Sequence, residues 1–295
     1  MTQRKSAIHH WWPRGLSKHW RNEDGMVGCL KSDGTSFYTQ NSKLGGIRNA
    51  HAHKYTDDWE SSPWNQISEN LFQDVDDNIS RIVKELTTKP LDNRKSNDRR
   101  WKEFNSSKWL ESNLVQTLVS LCVRSPRTRH DASMLGRQLM GYERGSRTDL
   151  NVSLSNTVAS FKTHSKSLPG RGKIGILRAT NCEFIYGDGI YHNLNPSGDV
   201  GHYPRMFVPL TPSVAVIYCR PTKYVTQPMF SEIQIDEEWI STLNDLTQVY
   251  SEKFLFYKSN APKVHSAFEL GEFKAVTPET NVAIKLMDSL PGVVG

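Results

Sequence analysis

The chain has 295 residues and a mass of 33.6 kDa, enough for one large domain or two modest lobes with a substantial core. Hydrophobic residues make up 37% and charged residues 23%, and there are eight tryptophans, ten tyrosines and eleven phenylalanines. This composition excludes a disordered tail, a collagen-like chain and a coiled coil.

Positive charge is concentrated in one part of the chain. The formal net charge is +6, and residues 94–147 carry twelve Lys or Arg against five Asp or Glu. A basic region of this kind suits an anionic partner, most simply the backbone of RNA or DNA. Solvated arginines on helix surfaces would give the same pattern, so both interpretations stay open.

The four cysteines predict buried free thiols in a reducing, cytoplasmic setting, because each stands among apolar neighbours and no Cys-x-x-Cys pair occurs. Residues 1–12 lack the apolar core of a signal peptide. The longest apolar stretch, 207–219, is short and contains two prolines, so no membrane partner is expected.

The first elements are predicted from turn signals and spacing. Asp24-Gly25 and Asp33-Gly34 predict tight turns on either side of a short strand at 26–31. A helix is then predicted from an apolar stripe, with Pro63 at its start and a charged loop at 89–98 after its end. The stripe consists of Ile67, Leu71, Val75, Ile79, Ile82 and Leu86.

The middle of the chain is predicted to be helical. Leucines at 110, 114, 118 and 121 form the stripe of a second helix, which Ser107 would cap and Pro126 would end. Two more helices are predicted around 134–140 and 150–161.

The spacing of apolar residues changes after Pro169-Gly170, from a helical pattern to one typical of strands. Short strands are predicted at 174–177, 182–186, 205–208, 214–219 and 254–257, and a helix is predicted at 236–250. The predicted class is therefore α+β, with short N-terminal strands, a helical middle and a C-terminal mixed sheet with one helix. We expect an N-terminal lobe over 1–168 and a sheet-rich lobe over 169–295, within one compact unit.

Several sequence motifs occur along the chain in the same order as in a known family. The opening His9-His10-Trp11-Trp12-Pro13 is similar to a His-His-Tyr-Val-Pro type motif, and further matches are VSLCVRSPRTR at 119–129, FIYGDGI at 184–190, VPLTPSVAVIY at 208–218 and the closing helix and strand at 243–256. In this order they resemble an uncharacterised bacterial family, domain-of-unknown-function family 4238. The resemblance implies an architecture and candidate positions, and no settled activity.

Two pairs of histidines are candidates for chemistry. His9 or His10 would act as a general base or metal ligand, or would instead be packed and bonded to backbone beside the tryptophans. His51 and His53 would share a metal if they lay on one strand face, with Asp57 or Asp58 as an additional ligand; the alternative is a polar loop.

Two acids complete the predicted catalytic set. Asp188 lies between Gly187 and Gly189, which would let a tight turn expose its carboxylate as a base or metal ligand. The alternative is a turn in which Asp188 bonds to nearby backbone. Asp76 stands beside the apolar stripe of its helix and is predicted to face a cleft.

Arginines supply the predicted phosphate contacts. Arg124, Arg127 and Arg129 cluster at a predicted helix C-terminus, and Arg14 follows the opening motif. Guanidinium groups bind phosphate oxygens at two points. Capping of the helix carbonyls is the alternative.

The leading hypothesis is a nuclease-like hydrolase that serves as a defence or toxin effector. In it the histidines and acids would perform the reaction with Mg²⁺ or Mn²⁺, and the arginines would hold phosphate. One alternative is a non-catalytic module that binds nucleic acid or protein. A second is an enzyme acting on a small phosphorylated ligand, which would need a closed pocket.

Overall fold

The computed structural model describes residues 8–54, 70–88, 100–194, 204–220, 227–271 and 282–293. These residues form the predicted α+β architecture, with helices in the middle and a mixed sheet built largely from the C-terminal part. None of the helices in these ranges is long and apolar enough to cross a membrane. The predicted loop at 89–98 and helix start at Pro63 lie outside the described residues.

The helices are α1 (Arg14–Ser17), α2 (Asn70–Thr87), α3 (Lys108–Arg124), α4 (Pro126–Met140), α5 (Arg147–Ser167), α6 (Glu237–Tyr250), α7 (Ser266–Glu269) and α8 (Val282–Asp288). The strands are β1 (Ile8–His10), β2 (Met26–Lys31), β3 (Ser36–Gln40), β4 (Gly46–Arg48), β5 (Lys102–Glu103), β6 (Lys173–Ala179), β7 (Tyr186–Gly187), β8 (Tyr191–His192), β9 (Arg205–Thr211), β10 (Val214–Cys219), β11 (Phe230–Ile235) and β12 (Phe254–Tyr257).

A six-stranded mixed sheet has the order β5-β11-β6-β10-β9-β8. β9 and β10 form an antiparallel hairpin, β10 pairs antiparallel with β6, and β11 runs parallel to β6. Every residue of β6 and β10 is buried, which explains why both strands are mostly apolar and lack polar alternation.

A four-stranded antiparallel sheet, in the order β3-β2-β12-β7, joins strands from distant parts of the chain. Its β2–β3 turn contains the predicted Asp33-Gly34 pair, with Gly34 at φ +82° donating its N–H to the Lys31 carbonyl. Because β12 pairs with β2, residues on both sides of the predicted division at 168 share this sheet.

Helices α2 to α5 pack on one another, and their ends follow local rules. The Ser107 hydroxyl accepts the Leu110 N–H at 3.1 Å, which confirms the predicted cap of α3. α3 ends at Arg124, and Pro126 then occupies the first turn of α4, where its missing N–H costs nothing.

An aromatic cluster fixes the opening motif to the four-stranded sheet. The Trp12 ring stacks on Tyr186 at 4.9 Å and on Phe256 at 4.4 Å between centroids, and Trp20 meets it edge-on at 6.2 Å. Trp12 and Tyr186 are fully buried. The chain around residue 9 is therefore held beside β7 and β12.

The strand predicted at 182–186 is wrong for most of its length, because only Tyr186 enters β7. The Phe184 N–H instead donates to the Pro212 carbonyl, and the Ile185 N–H donates to the Asn244 side chain. These contacts replace ladder hydrogen bonds while both apolar side chains remain buried.

Candidate functional site

His9 and His51 form a packed pair. The Nδ1 atom of His9 accepts the His51 N–H at 3.0 Å, and the two rings stack at 4.9 Å. Both side chains are buried. His9 therefore has the packed, backbone-bonded environment that was the alternative to a catalytic role, and Asp57 and Asp58 lie outside the described residues.

His10 lies at the other end of β1 and is half-buried. Its Nδ1–H donates to the Leu44 carbonyl at 3.3 Å, and β1 pairs with β4 through Gly46. This contact holds the segment that leads into β4 against β1.

Asp76 and Arg124 form a two-point ion pair between α2 and α3. Nη2–Oδ1 is 2.6 Å and Nη1–Oδ2 is 3.0 Å, and the guanidinium carbon lies 4.8 Å from the centre of the Phe72 ring. Arg124 is buried. Its donors are directed to a neighbouring helix, which is a structural contact and differs from the predicted clamp on phosphate.

Asp188 is buried and binds a loop from elsewhere in the chain. Its carboxylate accepts the N–H groups of Glu252, Lys253 and Phe254 at 2.7, 2.9 and 3.2 Å. Burial raises the pKa of Asp188 to about 6, although these N–H donors oppose the shift. The side chain thus fixes the start of β12, and its donors come from a distant loop instead of its own turn.

Gly189 allows the backbone of its turn to lie close to the backbone of Tyr250. A Cβ on Gly189 would lie 1.6 Å from the carbonyl oxygen of Tyr250. In addition, the Arg127 N–H donates to the Asp188 carbonyl at 3.2 Å. The turn is therefore packed between α6 and the first turn of α4.

The predicted arginines have different surroundings. Arg127 and Arg129 lie in the first turns of α4, so the expectation of a cluster at a helix C-terminus is wrong except for Arg124. The Arg127 side chain bonds Asp131 at 3.1 Å, and Arg14 is exposed at the start of α1. Arg127 and Arg129 lie near the N-terminus of α4, where the helix dipole does not stabilise a positive charge.

A cavity of about 660 Å³ lies between α4, the segment around β4 and the four-stranded sheet. Two of the predicted site residues, Arg129 and Asp188, line it. α4 contributes a row of side chains at helical spacing, namely Arg129, Ser133 and Arg137, together with His130.

In the described part of the chain, two nitrogen atoms of this helix wall are buried without a hydrogen bond. Arg129 donates through Nη2 to the Ala50 carbonyl at 2.7 Å, but its Nη1 atom has no hydrogen-bond partner among the described residues. The same holds for Nδ1 of His130, whose nearest carboxylate oxygen, on Glu252, is 3.8 Å away. Both atoms belong to adjacent residues that line the cavity.

Basic side chains outnumber acidic ones in the lining. The seven cations are Lys43, Arg48, Lys54, Arg129, Arg137, Arg144 and Lys253, and the three acids are Asp149, Asp188 and Glu252. The acids are already engaged: Asp149 pairs with Arg137 at 3.2 Å, Glu252 pairs with Arg144 at 2.5 Å, and Asp188 binds backbone. Lys43, Arg48, Arg129 and Lys253 have no carboxylate partner in the described ranges.

Burial shifts the ionisation of the helix wall. It lowers the pKa of Arg129 to about 10, so this side chain stays charged at neutral pH. It also lowers the pKa of His130 below 6.5, with the nearby charge of Arg144 acting in the same direction. The free cavity therefore presents a cationic guanidinium beside a neutral imidazole.

The sheet supplies a wall of different chemistry. Phe37, Cys29 and Phe256 stand in register across β3, β2 and β12, and all three line the cavity. Phe254 and Trp11 extend this apolar wall. The free thiol of Cys29 is buried, and burial raises its pKa to about 12, so it is unreactive.

Comparison with known proteins found no matching family, no similar curated protein and no similar solved structure. Within the described part of the chain, no group of three or more His, Cys, Asp or Glu side chains is placed to hold a metal ion. The predicted use of Mg²⁺ or Mn²⁺ therefore has no support from these residues.

Proposed function

We propose that the chain binds a phosphorylated ligand in the cavity beside α4. The observation that carries this proposal is the pair of buried nitrogens, Arg129 Nη1 and His130 Nδ1, that have no hydrogen bond among the described residues. A buried polar atom without a hydrogen-bond partner costs about 1–3 kcal/mol, so a fold that keeps two of them on adjacent residues of one cavity wall gains from a ligand that bonds to both.

A phosphate group suits these two nitrogens better than a neutral hydrogen-bond acceptor does. A guanidinium forms short, charge-assisted bonds with phosphate oxygens, and His130 can donate through Nδ1–H in the tautomer or charge state that a ligand favours. Lys43, Arg48 and Lys253 are exposed at the cavity and raise the local concentration of anions. The basic stretch at 94–147 contributes Arg129, Arg137 and Arg144 to the same cavity.

The contacts support binding of a ligand better than hydrolysis of nucleic acid by the predicted catalytic residues. Nδ1 of His9 and both carboxylate oxygens of Asp76 and Asp188 are already engaged in contacts within the protein. Catalysis by these residues and a role as a nuclease-like effector stay predictions from the sequence. The cavity instead favours the sequence-based alternative that requires a pocket for a small phosphorylated ligand.

Isothermal titration calorimetry with pyrophosphate tests the proposal. Arg129→Gln removes the charge and one donor, and we expect it to raise the pyrophosphate Kd by about tenfold or more. His130→Gln provides a second variant at a partly exposed side chain. Lys162→Gln removes one charge from an exposed position on α5 that does not line the cavity, and it should leave the Kd unchanged.

Two results would overturn the proposal. One is the absence of pyrophosphate binding by the folded wild-type chain. The other is equal weakening by Arg129→Gln and Lys162→Gln, which would assign the binding to net charge alone.

A further inference from the structure

The apolar wall of the cavity has an arrangement that suits a flat ring. Phe37 and Thr39 line the cavity from β3, and Phe254 and Phe256 line it from β12, so each strand directs alternate residues to this face. The Phe254 and Phe256 rings are nearly parallel, at 16° and 6.5 Å between centroids.

Part of this aromatic surface is open. Phe37 is 37% exposed and Phe254 is half-buried, whereas Trp11 and Phe256 are buried against the core. The Lys31 ammonium lies over the Phe37 ring, 5.7 Å from its centre, in a cation–π contact. An aromatic side chain that is open toward a cavity offers a stacking surface for a ligand ring.

We infer that the ligand is a nucleotide, whose phosphate is bound by Arg129 and His130 and whose base lies against Phe37 and Phe254. This inference rests on the proposed function and adds the substrate class to it. A single cavity that combines cationic donors with open aromatic rings matches the two halves of a nucleotide. A sugar phosphate or inorganic phosphate would use only the α4 wall.

The volume limits the size of the ligand. A cavity of about 660 Å³ falls within the range of small-molecule sites, roughly 300–1,000 Å³. It suits a mononucleotide, and the same chemistry occurs at the phosphorylated end of a single strand of RNA or DNA. A double helix offers no unstacked base for such a pocket.

The experiment compares ligands that share the phosphate and differ in the base. Calorimetric titrations would use AMP, UMP, ribose 5-phosphate and a 5′-phosphorylated tetranucleotide. We expect both nucleotides to bind at least about fivefold more tightly than ribose 5-phosphate, because stacking contributes for every base. A tetranucleotide that binds more tightly than AMP would assign the site to a strand end, and equal affinity would assign it to free nucleotides; both results support the inference.

The variant Phe37→Ala separates the base from the phosphate. It should weaken AMP binding by about fivefold or more and leave ribose 5-phosphate unaffected. Tyr38→Ala is the matched control, because Tyr38 is a neighbouring exposed aromatic on β3 that does not line the cavity.

The failures are distinguishable. If ribose 5-phosphate binds as tightly as AMP, or if Phe37→Ala and Tyr38→Ala have equal effects, the nucleotide inference is wrong and phosphate binding stands. If neither pyrophosphate nor any of these ligands binds, the proposed function fails as well.

Discussion

Arg124 and Asp76 join α3 to α2 through two parallel contacts, at 2.6 and 3.0 Å. Arg124 is 1% exposed and Asp76 is 30% exposed, so one charge is fully buried while the other reaches solvent. A buried guanidinium in such a pair depends on its acid, because losing the partner leaves an uncompensated charge. The pair therefore stabilises the helical layer.

Removing the acid tests this role. We expect Asp76→Asn to lower the free energy of unfolding by about 2 kcal/mol in urea denaturation, somewhat less than for a fully buried pair because Asp76 is partly solvated. The pyrophosphate Kd of the folded variant should equal that of the wild type. A change in Kd with no loss of stability would instead indicate a functional carboxylate.

Asp188 gives a prediction about pH. Its pKa is raised to about 6 in the folded chain, mainly by burial, against 3.8 ordinarily. Between these values the folded chain holds a proton that the unfolded chain has released, so this group's stabilisation is present in acid and is lost as pH rises through about 6. The unfolding free energy of the wild type, relative to Asp188→Asn, should be larger at about pH 4.5 than at about pH 7. The opposite slope would contradict the raised pKa.

His130 should couple ligand binding to pH. Its pKa is lowered by burial and by Arg144 and Arg137, while Glu252 and Asp131 act in the opposite direction, so the imidazole is neutral in the free chain at pH 7. A bound phosphate favours the charged form, and binding then takes up a proton. Affinity for pyrophosphate should rise as pH falls from about 7.5 to about 5.5, and more in the wild type than in His130→Gln. Parallel pH profiles for the two proteins would show that His130 does not contact the ligand.

Gly189 is predicted to be intolerant of any side chain. A Cβ there would lie 1.6 Å from the Tyr250 carbonyl oxygen, so Gly189→Ala must displace backbone and should cost at least about 1–3 kcal/mol. Gly15→Ala is the control, because its nearest heavy atom would be 3.5 Å away, an ordinary contact, and alanine favours a helix. Thermal unfolding compares the two, and equal melting temperatures would refute the close packing.

The helices were predictable because their signals are local. Val75, Ile79 and Leu86 recur at helical spacing and are all buried, and Ser107 caps α3 as its position indicates. β11 is not among the predicted strands, although Ile233 and Ile235 alternate with Glu232 and Gln234, the pattern of a strand with one buried face. The pairing of β12 with β2 depends on contacts between distant segments, which no local pattern specifies.

The candidate site was only partly predictable for the same reason. Residue type alone points to Arg129, and Ser133 and Arg137 follow it at four-residue spacing, a signal that depends on a helix over 126–140. The significance of His130 lies in the missing hydrogen-bond partner of Nδ1 among the described residues, which only the folded chain shows. Phe37 and Phe254 come together because β3 and β12 both pair with β2. This pairing joins distant segments, so the sequence does not predict that the two rings share a wall.

The most direct measurement is a crystal structure of the chain grown with AMP. We predict that the phosphate lies within about 3 Å of Arg129 Nη1 and His130 Nδ1, with the adenine ring against Phe37. Nucleotide bound elsewhere on the surface, with both nitrogens still lacking an acceptor, would contradict the assignment of this cavity.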